Sequence, residues 1–265
     1  VNLDFTPVLI VILLFIVALL FSPLGLGGGV LYVPILHYIA EWPLIESLLA
    51  SLALVWMVAL GSSNSHSRKG YSDATAVSAG RMTAVPAAVV GTILAWFSLE
   101  YISDVVIKVI AALILIFVIE RNIRDVNIDK SDRDNLTLYS RFAACGGLAS
   151  GLLGIGGGAI YVTLHRTVLG MDSRSSAGTS YLIGAVVVPV ALASHILIDG
   201  TLGNVLGHTG VLPAFFILFA TFSAAWLGAL YAIDHLPVNI ITNIFLVAVS
   251  ISLVRYLWDI ATYLI

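Results

Sequence analysis

Charge is scarce in this chain of 265 residues: Asp, Glu, Lys and Arg make up 10% of it, against 60% hydrophobic residues. A soluble domain carries about 25% charged residues, so water is not the solvent for most of this surface, and a mean hydropathy of +1.05 agrees. Cysteine is nearly absent too. The single Cys145 excludes an intramolecular disulfide and the paired thiolates of a zinc or iron-sulfur site, and its expected role is packing. No basic run exceeds Arg68-Lys69, and the net charge is only -3, which leaves nucleic-acid binding without electrostatic support. HExxH, GxSxG and matched Cys-His pairs are all missing, so no enzyme constellation is visible and no cofactor is implied. Asp129, Asp132 and Asp134 have the spacing of a calcium loop but lack its glycine and terminal glutamate, and they read as solvated linker.

What the chain has instead is long apolar runs. Crossing a hydrocarbon core of roughly 30 Å takes about 20 mostly apolar residues in a helix. Such runs, divided by turn signals, predict helices near 7–24, 30–40, 46–67, 81–98 and 104–121, then 139–153, 159–169, 175–198, 207–231 and 237–258. The fold class is therefore an all-α, polytopic transmembrane helical bundle with the lipid bilayer as its partner. Residues 8–21 have the apolar character of a signal-peptide core but no basic stretch before them, and they read as structural. The polar stretch at 122–138 reads as a linker between a first repeat, 1–121, and a second, 139–265.

Those two parts align with a shift of 129 residues. LGLGGGVLYVPIL at 24–36 falls on LGIGGGAIYVTLH at 153–165, with seven identities in thirteen positions. The same shift pairs Ser47 with Ser176, Ser51 with Ser180, Val58 with Val187, Ser65 with Ser194 and His66 with His195. Glycines, serines and histidines carry the match, because leucines and valines coincide by chance in membrane helices. Internal duplication with broken helices is a plan of secondary transporters, whose substrate site lies at the repeat interface.

Each glycine run cuts a segment too long for one span: about 30 helical residues would reach roughly 45 Å. The expected unit is a hairpin of two incomplete helices plus three full spans, which inverts the second repeat. Positive-inside counting then puts Arg68, Lys69, Arg81, Arg121, Arg124, Lys130, Arg133, Arg141, Arg166 and Arg174 on the cytoplasmic side and Lys108 and Arg255 outside, ten to two. A parallel arrangement gives nine to three, so length rather than charge favours inversion.

Non-helical backbone at membrane depth must be buried in protein or line a watery cavity. Helices restarting near Val30 and Ala159 turn unpaired N–H groups and a positive dipole end towards the breaks, which suits an anion. Glycine's freedom at positive φ lets several N–H groups approach a ligand. Close helix packing is the plainer role of such glycines, but two matched triplets favour a site formed by Gly27, Gly28, Gly29, Val30, Gly156, Gly157, Gly158 and Ala159. Ser51, Thr179 and Ser180 could bond a ligand oxygen, or instead bond back to helix carbonyls and glue helices. His66 and His195 could gate or relay protons. Their place about 22 Å along the helix from Ser51 and Ser180 predicts that they do not share one site with the serines. Arg81 could attract anions to the cytoplasmic mouth or simply snorkel.

The glycine-broken hairpin, its repeat, and AGTS at 177–180 together resemble the TauE/SafE sulfite exporter family of membrane transporters over residues 7–258. Gly25, Gly27, Gly28 and Gly29 match its first break, with Pro34 fitting the pattern, and Gly154, Gly156, Gly157 and Gly158 its second. Thr163 stands where the second unit would repeat that proline, which predicts a less bent helix there. The resemblance implies transport of small anions, chiefly sulfite and organosulfur compounds, across the cytoplasmic membrane, with no catalysis. Alternatives left by the residues themselves are a proton- or cation-coupled carrier of another solute, with His66, His195 or Glu46 as relays, and an intramembrane enzyme or scaffold. A homo-oligomer stays open.

Overall fold

The computed structural model describes residues 5–123, 135–235 and 238–264. Most of the linker expected at 122–138, with Arg124, Lys130, Arg133, Asp129, Asp132 and Asp134, lies outside the described residues.

Among the described residues every regular element is helical. The order is α1 (Thr6–Phe21), α2 (Gly29–Pro34), α3 (Leu44–Arg68), α4 (Ala74–Tyr101), α5 (Asp104–Ile123), α6 (Leu136–Leu153), α7 (Gly158–Thr167), α8 (Ser173–Ile198), α9 (Leu202–Thr209), α10 (Val211–His235) and α11 (Val238–Leu264). Six stretches have the length and hydropathy of membrane spans: Thr6–Leu24, Leu44–Arg68, Ala74–Tyr101, Ser173–Ile198, Val211–Tyr231 and Ile240–Tyr263. The chain is a multi-pass membrane protein, and large apolar side chains such as Phe215, Phe219, Val247 and Val254 stand exposed on its outside, as lipid contact requires.

Two boundaries stand out against the sequence expectation. Helix α4 begins at Ala74 rather than near 81, because the Asp73 carboxylate accepts from the Ala76 N–H at 2.9 Å and caps a turn that reads as polar loop. The segment expected at 207–231 is two helices, broken at Gly210, whose φ of 79° ends α9. Helix α5 keeps its expected start and length, and α1 with the turn at Ser22–Leu24 has the length and hydropathy of a span. Cys145 is exposed rather than packed.

Helices α3 and α8 form the centre and run in opposite directions. At one end Arg174, in the first turn of α8, donates to the Tyr71 hydroxyl just beyond α3 at 3.3 Å. At the other, Glu46 in the first turn of α3 accepts from Asn204 at 3.1 Å and pairs with His208 at 2.6 Å, both on α9 beyond the end of α8. Each hairpin's first helix packs on a helix from the far part of the chain, α1 on α10 and α6 on α4. Helices α5 and α11 pair through Lys108, which bridges Asp259 and, at 2.6 Å, Asp104.

Small residues set the closest approach. A Cβ on Gly151 of α6 would meet the Ala88 carbonyl and, at 2.6 Å, the Thr92 nitrogen of α4. Overpacking of this kind costs about 1–3 kcal/mol. Gly151→Ala is therefore expected to lower the melting temperature in detergent. Gly203→Ala, in α9 with nothing within 4 Å of its would-be Cβ, should leave it level or slightly raised.

Candidate functional site

The two glycine breaks are built alike. Gly25, Gly27 and Gly28 have φ of 80°, 71° and 76°, and Gly154, Gly156 and Gly157 have 66°, 75° and 71°. The left-handed sequence unwinds the chain without Cβ strain. The Gly28 carbonyl then accepts from the N–H groups of Leu31 and Tyr32 at 2.9 and 3.0 Å, and the Gly157 carbonyl from Ile160 and Tyr161 at 3.0 Å each. Beyond the first break α2 gives way at Pro34 to a π-helical turn, Ile35–Ile39, whereas α7 continues regularly past Thr163. Proline's missing N–H accounts for the difference.

The breaks are held by crossing contacts. The Ser51 hydroxyl of α3 donates to the Gly154 carbonyl at 2.7 Å, and the Ser180 hydroxyl of α8 donates to the Gly25 carbonyl at 2.8 Å. Ser51 and Ser180 are 129 positions apart, as are Gly25 and Gly154, so one bond becomes the other under the shift that aligned the glycine runs. The close approaches obey the same rule. A Cβ on Gly25 would lie 2.5 Å from the Ala177 Cα, and one on Gly154 would lie 2.9 Å from the Leu48 Cα. A Cβ on Gly29 would meet Ile155 backbone, 2.5 Å from its Cα, and one on Gly158 would meet the Gly25 and Leu26 carbonyls at 2.8 and 2.9 Å. Gly27, Gly28, Gly29, Val30, Ser51, Gly156, Gly157, Gly158, Ala159 and Ser180 are thus brought into one buried assembly.

Its centre is filled. Val55 of α3 approaches both Gly27, at 3.2 Å from a built Cβ, and Gly156. The position 129 residues on is Gly184, and α8 instead brings Val188 to within 3.3 Å of a Cβ built on Gly156. Thr179 bonds elsewhere. Its hydroxyl accepts the Asp73 N–H at 3.0 Å and ties the start of α4 to α8. Half-buried Arg81 donates from Nε to the Leu182 carbonyl at 3.1 Å and from a terminal nitrogen to the same oxygen, which ties α4 to α8.

Contrary to the expectation from spacing, the histidines lie beside the breaks, each near the break that the other helix's serine holds. Length along α3 separates His66 from Ser51, but the antiparallel crossing sets the His66 ring 5.7 Å from that of Tyr181, the neighbour of Ser180. His195 Nε2 likewise donates to the Gly151 carbonyl at 2.7 Å, near the second break, and its Nδ1 pairs with Asp199 at 2.5 Å. Sequence reasoning missed the groups around them. Tyr32 and Tyr161 were visible only as identities in the repeat, and Ser62, Tyr139, Tyr181 and His165 carried no signal. The Tyr139 hydroxyl bonds His165 Nε2 at 2.8 Å, while the hydroxyls of Tyr32, Ser62, Ser150 and Tyr161 are buried without a partner. A cavity of about 600 Å³ among α1, α3, α8, α9 and α10 has an apolar lining that includes none of the break glycines. Among the described residues no cluster of three metal-ligating side chains occurs.

The chain matches the family model described as Sulfite exporter TauE/SafE over residues 10–256. It belongs to the TauE/SafE sulfite exporter family. No curated protein and no solved structure matches the chain. Both glycine breaks fall within the matched residues, and the family is one of membrane transporters.

Each crossing serine supplies the donor that an unwound carbonyl needs away from water. Ser51→Ala or Ser180→Ala should cost about 1–3 kcal/mol through the bared Gly154 or Gly25 carbonyl. Ser47→Ala, which removes local bonds back to the Pro43 and Trp42 carbonyls at 3.0 and 3.5 Å, should change stability by less than about 0.5 kcal/mol. Thermal unfolding of the purified variants in one detergent checks the contrast.

Proposed function

We propose that this TauE/SafE family member is a secondary transporter of small anions, sulfite or organosulfur oxyanions, in the cell membrane. Two inverted repeats, 1–121 and 139–265, would rock about the paired breaks in alternating access, with the anion held by backbone N–H groups of the breaks and nearby hydroxyls. The observation that carries this reading is the exchange of contacts between Ser51–Gly154 and Ser180–Gly25. A symmetric pair of helices crossing in opposite directions is the geometry in which one rigid-body motion opens one side and closes the other. The described basic side chains support the orientation: Arg68, Lys69 and Arg174 gather where α3 ends and α8 begins, the side expected to be cytoplasmic.

A proton-coupled carrier of another solute is the second reading, favoured by one feature. Glu46 is only 6% exposed and pairs with His208 at 2.6 Å, and the His208 ring stacks on Trp42 with centroids 4.6 Å apart. Such a pair at a membrane boundary could exchange protons.

Reconstitution in liposomes with labelled sulfite or a sulfonate tests the first reading. Wild type should show saturable flux that unlabelled sulfite competes away. Gly28→Leu and Gly157→Leu, which force a side chain into a positive-φ position against Val17 and Tyr32 or against Gly146, should reduce flux at least about tenfold. Equal flux in all three would refute the break as the site, and solute flux insensitive to every anion competitor would favour the second reading.

A further inference from the structure

The two breaks are alike in backbone but not in the polar side chains beside them. On the first side His66 Nδ1 lies 2.9 Å from the Ser62 carbonyl. A carbonyl only accepts, so Nδ1 carries the proton and Nε2 of the neutral ring presents a lone pair. That Nε2 is buried and has no hydrogen-bond partner, the nearby Pro23 backbone falling outside hydrogen-bond geometry. Ser62 sits one helical turn before His66 on the same face of α3, and its hydroxyl is buried beside the Tyr181 phenol without hydrogen-bond geometry. Tyr181 anchors the group by donating to the Phe21 carbonyl at 3.2 Å, and it interacts with the backbone of Gly25 and Gly27. The Tyr32 phenol, wholly buried and unpartnered, lies within electrostatic reach of Tyr181, and its ring packs on Gly28.

Buried polar atoms are nearly always paired, so two free hydroxyls and one free ring nitrogen at a single place call for a complement. The complement of two donors and one acceptor is a small ligand with acceptor oxygens and one O–H. The second side lacks this combination. The hydroxyls of Tyr161 and Ser150 are also unpartnered there, but His195 is bonded through both nitrogens, and His165 is held between Tyr139 and the Ser176 carbonyl.

Building on the anion-transport reading above, we propose that Tyr32, Ser62 and His66, organised by Tyr181, form the anion subsite of the first break, and that it takes a small oxyanion in its singly protonated form, such as hydrogen sulfite. The ligand's O–H donates to His66 Nε2, while its charged oxygens accept from the Tyr32 and Ser62 hydroxyls. Binding is thus asymmetric between the two breaks, and Val55 between them separates the subsite from its silent counterpart.

Calorimetric titration of sulfite into the full chain in nanodiscs, at one fixed pH, tests this. Tyr32→Phe, Ser62→Ala and His66→Asn, the last keeping a donor for the Ser62 carbonyl, should each weaken sulfite binding about tenfold or more. Tyr161→Phe should leave it unchanged. Sulfate, which has no proton to offer at neutral pH, should bind at least about tenfold more weakly than sulfite. Removing an unpartnered hydroxyl should also leave Tyr32→Phe with a melting temperature equal to or above that of wild type, so weaker binding would not reflect unfolding. Unchanged affinity in all three variants, with wild type binding sulfite, overturns the subsite and leaves the transport reading standing. Equal affinity for sulfate and sulfite overturns the protonated ligand. If wild type binds no oxyanion, both the subsite and the transport reading fall.

Discussion

An unwound backbone at membrane depth has no water to satisfy it, and that constraint organises this protein. Six glycines at positive φ create two unwound stretches, in which the Gly25 and Gly154 carbonyls find their donors on other helices. The two serine hydroxyls that answer them, Ser51 to Gly154 and Ser180 to Gly25, each come from the opposite part of the chain. Each break therefore leans on the helix that crosses it. The pairing of α1 with α10 and of α6 with α4, and the close contact of α3 with α8, carry the same exchange through the rest of the bundle.

Exchange also brings histidines to the breaks from an unexpected direction. Since α3 and α8 run oppositely, the histidine that ends one helix lies near the break whose carbonyl the other helix's serine holds. The two matched parts differ at the side chains. Val55 faces Gly184 in the alignment, and Asp199, which pairs His195, faces Gly70. A symmetric frame with unequal polar contents suits a carrier, because rigid-body rocking needs the first and ligand specificity the second.

Most of the fold was legible from residue order. Runs of apolar residues set the helices to within a turn or so, because membrane spans must satisfy their own backbone and so announce themselves by length. Where the reading slipped, local chemistry outweighed hydropathy: a capping Asp73 extended α4 into a polar stretch, and Gly210 divided a run that composition alone left whole. The candidate site was legible in part. Triplet glycines stand out in any sequence, and the serine pair followed from the shift. Tyr32, Ser62 and Tyr181 did not stand out, since tyrosine and serine are common in membrane helices and only their lack of partners marks them.

The sequence alone determined that the chain lives in lipid, that it carries two matched glycine breaks, and that these cannot be ordinary helix. Tertiary structure decided which hydroxyl bonds which carbonyl, that Thr179 and Arg81 serve helix contacts, and that His66 keeps a free nitrogen while His195 does not. The physical reason is one of range. Hydropathy and backbone freedom belong to single residues and their neighbours along the chain, whereas hydrogen-bond satisfaction depends on which distant group the packing of antiparallel helices brings within about 3 Å.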